Sequence, residues 1–139
     1  MKISYSEDEI PQAVSAMIEA GHAQYEQSHS VEINYQRFVL TAEENDVVVG
    51  VLIGYTAYAE VYIDDLWVDR SFRKRSIGTR LIEALETRFA GSIFDYICLC
   101  TSEFQAPAFY EKCGFELEFK RLNERNPKFN KYFYIKYLP

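Results

Sequence analysis

Between Val68 and Phe89 the chain reads VDRSFRKRSIGTRLIEALETRF, which puts Arg73, Lys74, Arg75, Ser76 and a lone Gly78 between a strand-like run and a helix-like one. The first turn of a helix carries backbone N–H groups without intrahelical partners and a partial positive charge, so it is a natural seat for an anion. Here three cations precede that turn, Gly78 allows a bulky ligand to approach the backbone, and Thr79 adds a hydroxyl. The combination suits a pyrophosphate, although a cluster of Arg and Lys on a surface is in other chains simply solvated charge. Two common phosphate-binding patterns, GxxxxGK[ST] and GxGxxG after a first strand, are absent.

The remaining reactive side chains form no recognisable constellation. Cys98, Cys100 and Cys113 are odd in number, contain no CxxC pair and have no neighbouring His, so neither a disulfide frame nor a zinc site is expected. Cys98 and Cys100 share one strand face and Cys113 ends a helix, which reads as small apolar packing. His22 and His29 fall in the N-terminal helical region.

The elements that would position the basic loop follow from periodicity. KISY is a short strand candidate, and SEDEIPQ is a helix entry with Ser6 as cap and Pro11 in the first turn. Val14, Met17 and Ile18 then fall on one helical face. YQRFVLTAE, DVVVGVLIGYTAYA and VYIDDLWV carry strand signals, with EENDV as a hairpin turn. Ile77, Leu81, Leu85 and Phe89 recur every fourth residue, an amphipathic helix ended by AGS. YICLCTS is a strand, QAPAFYEKC a short helix closed by Gly114, and FELEFKRL and KYFYIKYL are two last strands. The order β, α, β, β, β, α, β, α, β, β predicts a mixed α/β sheet, mostly antiparallel, with one parallel pair around the basic loop and helices on both faces.

At 139 residues, with 48% apolar and 26% charged residues, the chain is expected to fold as one domain spanning residues 1–139. Residues 1–60 set Lys2 and Arg37 against ten acids, whereas residues 61–139 hold thirteen cations and eleven acids. That asymmetry leaves the basic half for a polyanion and the acidic half for a cation. A formal charge of −6 argues against a nucleic-acid partner. The longest apolar run, Val47 to Ala59, is 13 residues, short of the roughly 20 that a membrane-spanning helix needs. MKISYSEDEI is unlike an export signal, so a cytoplasmic location is expected.

Two segments carry a resemblance. Arg73-Lys74-Arg75-Ser76-Ile77-Gly78 resembles the acetyl-CoA loop of the GNAT N-acetyltransferase superfamily, [Arg/Gln]-x-x-Gly-x-[Gly/Ala], with Ser76 where the family usually has glycine. A positive φ there would strain a serine by about 1 kcal/mol or more. QAPAFYEKCGFE is similar to the family's later segment, with Ala106, Tyr110, Lys112, Gly114 and Phe115 in register and Glu103 at the position of an asparagine. The motifs lie within residues 63–115, and the order of elements resembles the family over nearly the whole chain.

The resemblance implies that the strand ending DDLWVD splays from YICLC and that acetyl-CoA enters the gap. Backbone N–H groups near Leu66, Trp67 and Val68 would then hold the pantetheine and polarise the acetyl carbonyl, with Glu103 and Ala106 on the same side. The amides of Arg73, Lys74, Arg75, Ser76, Ile77, Gly78 and Thr79 would hold the pyrophosphate. Tyr110, whose pKa near 10 exceeds that of a thiol, would protonate the departing thiolate. Asp64 and Asp65 are the candidate bases, with Glu103 a third; residues alternating along a strand would aim only one Asp into the cleft, whereas an edge or bulge at the pair would leave both carboxylates solvated. No metal is implied. The acceptor is a small cationic amine or, in a second reading, a protein lysine or N-terminus; a third reading is an acyl-CoA-binding module without turnover. Pairing of two copies through the C-terminal sheet is a further implication of the resemblance.

Overall fold

A computed structural model describes residues 1–139, whose contacts divide them into Met1–Ile33 and Asn34–Pro139. In the first part, residues 1–11 form no regular element and α1 runs over Gln12–Ser28. Pro11, at φ −57° and ψ 141°, gives the non-helical entry, and its carbonyl accepts from the amides of Val14 and Ser15 at 3.0 Å each. A proline there gives up only an N–H that the helix would leave unpaired. The expected strand at KISY does not form: its alternation is present, but no other strand takes up its N–H and C=O groups, and a strand exists only through such pairing. Nor does Ser6 cap the helix; its hydroxyl accepts instead from the Asp8 amide at 3.1 Å. None of the α1 residues is buried.

Asn34–Pro139 contains β1 (Gln36–Glu44), β2 (Val47–Ala57), β3 (Glu60–Val68), α2 (Ile77–Phe89), β4 (Tyr96–Ser102), α3 (Pro107–Lys112), β5 (Glu116–Arg121) and β6 (Lys131–Tyr137). They form one six-stranded sheet in the order β1-β2-β3-β4-β6-β5, in which β3 and β4 are parallel and every other pair antiparallel. The β1–β2 hairpin closes on Asn45 and Asp46, both at positive φ (50° and 63°), the two-residue turn whose twist matches the flanking strands.

α2 buries Ile77, Leu81, Ile82 and Leu85, the face that the spacing predicted. They pack with Val49, Leu52, Val61, Ile63, Ile97 and Leu99 from the sheet and with Tyr110 and Phe115 from α3 and the residues after it. Each aliphatic side chain so buried stabilises by roughly 1.5–3 kcal/mol. Both helices of this part lie on the same sheet face, because Lys136 on β6 pairs with Glu86 of α2 and donates to the Cys113 carbonyl just after α3 at 2.7 Å.

β3 is irregular on both of its edges. Its parallel pairing with β4 covers only Glu60–Tyr62 against Tyr96–Cys98, after which the strands separate. On its other edge the register against β2 shifts between Ile53 and Gly54, so that Asp64 is a bulge. Gly54 permits the bulge: a Cβ there would collide with the Tyr62 carbonyl and come within 2.6 Å of the Phe38 ring.

Candidate functional site

Beyond Tyr62 β3 is paired only through β2, so its other edge faces the gap that opens towards β4. The expected splay of the two strands is therefore present. Past Val68 the chain is tied down in three places. The Asp69 amide donates to the Val49 carbonyl at 2.8 Å, the Asp69 carboxylate accepts from the Ser71 amide at 2.9 Å, and Arg73 Nε donates back to the Val68 carbonyl at 3.0 Å. Lys74 and Ser76 then both take left-handed backbone, φ 64° and 61°. Turns that carry such left-handed residues can gather backbone N–H groups into a concave seat for an anion.

Ser76 is the residue before α2, and its side chain makes no capping hydrogen bond. The first intrahelical acceptance by that turn is Arg80 N–H to Ser76 C=O at 2.9 Å. The amides of Ile77, Gly78 and Thr79 consequently have neither an intrahelical nor a capping partner. They open into a cavity of about 550 Å³. Leu66 and Val68 of β3 line one side, residues 72–74 and 76–79 the floor, and Ala106, Phe109 and Lys112 the α3 side. A Cβ on Gly78 would lie 3.1 Å from the Phe109 ring, so the glycine keeps this slot open.

Several expected residues direct their side chains elsewhere, although Arg75 and Trp67 were expected to act through their amides. Arg75 turns away from the cavity, its guanidinium 5.0 Å from the Phe72 ring centroid and 3.6 Å from Glu44 Oε2. Trp67 pairs with Val51 and is 47% exposed. Glu103 sits in the turn after β4, where its amide donates to the Asn130 carbonyl at 2.8 Å. Its charge acts on Lys120 and Tyr134, towards the β5–β6 side. Phe72, Phe109 and Lys112 line the cavity in addition to the expected residues; Lys112 stands in register with the second motif, whereas nothing in the sequence marks the phenylalanines.

Tyr110 is buried against Phe109, Phe115 and Tyr134. Its hydroxyl is pushed up to about 12, first by burial and then by Cys113 and Asp65. The carboxylate felt by Tyr110 is thus Asp65, while Asp64 acts on Tyr55 and Tyr62. Of the two readings of the acid pair, the bulge is the one present: Asp64 is inserted between Ile63 and Asp65, simple alternation does not separate the two, and both are exposed. No three His, Cys, Asp or Glu side chains converge as metal ligands. No helix is long and apolar enough to cross a membrane.

Residues 5–115 match the family described as the acetyltransferase (GNAT) family. The chain belongs to the GNAT acetyltransferase family. Within it, the chain is similar to blasticidin-S acetyltransferase of Streptomyces morookaense, 33% identical over 78 residues that span 53% of this chain and 55% of that protein. It is also similar in structure to an acetyltransferase from Bacillus cereus (TM-score 0.77, 23% identity, 96% of this chain and 98% of that one). A third similarity is to an aminoglycoside 6'-N-acetyltransferase solved with coenzyme A (TM-score 0.65, 22% identity, 74% of each chain).

Proposed function

We propose that the protein moves an acetyl group from acetyl-CoA directly to the primary amine of a small cationic acceptor, both substrates being bound at once, and that residues 1–139 work as one such unit. One observation carries the reading: the uncapped α2 amides and the left-handed Lys74 and Ser76 face a slot that adjoins the β3–β4 splay. These residues fit coenzyme A in kind. Amides with Arg73, Lys74 and Lys112 suit a diphosphate, and the apolar Leu66, Val68, Phe72 and Phe109 suit the carrier arm. The structural relative solved with coenzyme A supports that ligand class, and the blasticidin-S relative supports an amine acceptor.

Acetyl-CoA supplies a thioester whose carbonyl carbon the amine attacks as the C–S bond breaks. An amine of pKa near 10.4 is neutral in only about one molecule in 2,500 at pH 7, so a proton must be removed first. We assign that step to Asp65, at the mouth of the splay and electrostatically linked to Tyr110. Tyr110 holds the proton that the leaving thiolate takes. Its raised pKa keeps it protonated, and Asp65 disfavours its ionisation.

The test pairs titration calorimetry of coenzyme A with detection of free thiol from acetyl-CoA across a panel of small amines and amine-bearing peptides. Heat together with thiol release on small cationic amines is expected. Release on peptides alone moves the acceptor to a protein amine; heat without release leaves a binding module; no heat at millimolar coenzyme A removes the assignment.

A further inference from the structure

The sheet face turned away from α2 and α3 bears side chains in register. Phe38 and its partner Gly54 lie on the helix face, since Phe38 meets Phe89 of α2 at 5.6 Å between ring centroids. Tyr55, the next residue, therefore lies on the other face, with its cross-strand partner Tyr62. Their centroids are 5.2 Å apart with the rings tilted by 32°, and Tyr35 continues the line at 5.7 Å from Tyr55. Glu60, two residues before Tyr62 on β3, shares this face. Its carboxylate receives the weak thiol donor of Cys98 at 3.3 Å, which leaves most of its acceptor capacity open. At the other end of the row, Asp65 pairs with Ile53 on the same face, beside the gap where β3 and β4 part.

This arrangement has two anionic ends joined by aromatic faces. Measured along β2, the partner of Glu60 is Ala57 and that of Asp65 is Ile53, four residues apart and so about 13 Å at roughly 3.3 Å per residue. Cross-strand tyrosines stabilise a sheet wherever they pair. Here, in addition, the Glu60 and Asp64 charges reach the Tyr55 hydroxyl, so the rings lie in a negative field that draws cations over their faces. We propose that Glu60 with Tyr55 and Tyr62 is the specificity subsite of the acceptor, holding a second cationic group, an ammonium or guanidinium, while the amine to be acetylated lies at Asp65. The proposal rests on the acetyl-transfer reading and adds to it the substrate class: an elongated dication rather than a monoamine.

Turnover of α,ω-diaminoalkanes is compared with that of the matching monoamines in the full-length protein, alongside calorimetric binding of the same compounds in the presence of coenzyme A. The diamines are expected to win in kcat/KM by at least tenfold, most clearly in the longer members. Glu60→Gln and Tyr62→Leu should collapse that ratio through KM rather than kcat, with coenzyme A binding reporting that each variant is folded. Because binding is read as well, a chain that releases no thiol still decides the matter: dication binding lost in Glu60→Gln upholds the subsite, while the acetyl-transfer reading falls separately. Equal binding of mono- and diamines, or a diamine preference untouched by both variants, overturns the proposal.

Discussion

In the proposed reaction Tyr110 and Asp65 would divide the proton work, and each role can be tested alone. Tyr110→Phe keeps the ring that packs against Phe109, Phe115 and Tyr134 and removes only the hydroxyl. A general acid contributes about 10² to 10⁴ in rate, so kcat should fall at least about a hundredfold while coenzyme A affinity stays near that of the parent. The wild-type pH profile should agree: an acid works while protonated, and with Tyr110 raised to about 12 no alkaline loss of kcat should trace to it below that pH. Asp65→Asn should lower turnover at neutral pH and recover part of it as pH rises, since the free-amine fraction grows tenfold per unit below the amine's pKa. Asp64→Asn should do markedly less, because its charge is directed at Tyr55 and Tyr62 rather than Tyr110. Equal losses in the two variants would return the base to an open choice between neighbours on a bulge.

The loop before α2 is built around a conflict that the sequence already announces. Ser76 holds φ 61° where a glycine would be at ease, and left-handed backbone costs a non-glycine residue about 1–2 kcal/mol. Ser76→Gly removes that strain but loosens the unfolded chain by about 0.4–1 kcal/mol, so thermal melting should move little, and upward. Ser76→Val, β-branched at the same φ, should lower stability by roughly 1–2 kcal/mol and weaken coenzyme A by disturbing the turn. Gly78→Val should keep the melting point closer to the parent yet weaken coenzyme A at least about tenfold, since its side chain enters the slot against Phe109. A Gly78→Val protein with parental calorimetry would show that the ligand does not use this slot. The demand at Ser76 was legible because a motif fixes backbone position by residue count. So were α2 and β4, whose apolar periods are long and regular. At Asp64 and Asp65 the pattern left alternation and a bulge both open, and the choice was not legible, because it depends on Gly54 of a different strand leaving room for the Tyr62 carbonyl, a fact about pairing rather than local pattern. The same reason hid Phe72 and Phe109, which line the cavity only once two separate turns are brought together, and it misled at KISY, where alternation was present and a partner was not.

Across the molecule, a chain with 11 tyrosines has placed several of them where ionisation is resisted. Tyr110 and Tyr134 are both pushed up to about 12, each chiefly by burial; Tyr134 also donates its hydroxyl to Glu111 at 3.0 Å, which further holds its proton. Tyr55, Tyr62 and Tyr96 are raised as well, and the Cys98 thiol is raised by burial and by its bond to Glu60. In the unfolded chain tyrosines release their protons near pH 10. Between about pH 10 and 12 the native state therefore binds more protons than the unfolded one, and the slope of unfolding free energy with pH is negative. Tyr110 and Tyr134 leave stability whole below pH 10 and withdraw it as pH climbs through about 12; for Tyr110 alone the loss is on the order of 2–3 kcal/mol. Urea midpoints measured from pH 9 to 12 should accordingly fall, and fall less steeply in Tyr110→Phe, whose ring cannot ionise. Lysine deprotonation also acts in this range but is common to both proteins, so the difference between their slopes isolates the buried hydroxyl. Parallel slopes would mean that Tyr110 reaches solvent freely, and the same result would remove the reason for its holding a proton beside the splayed strands.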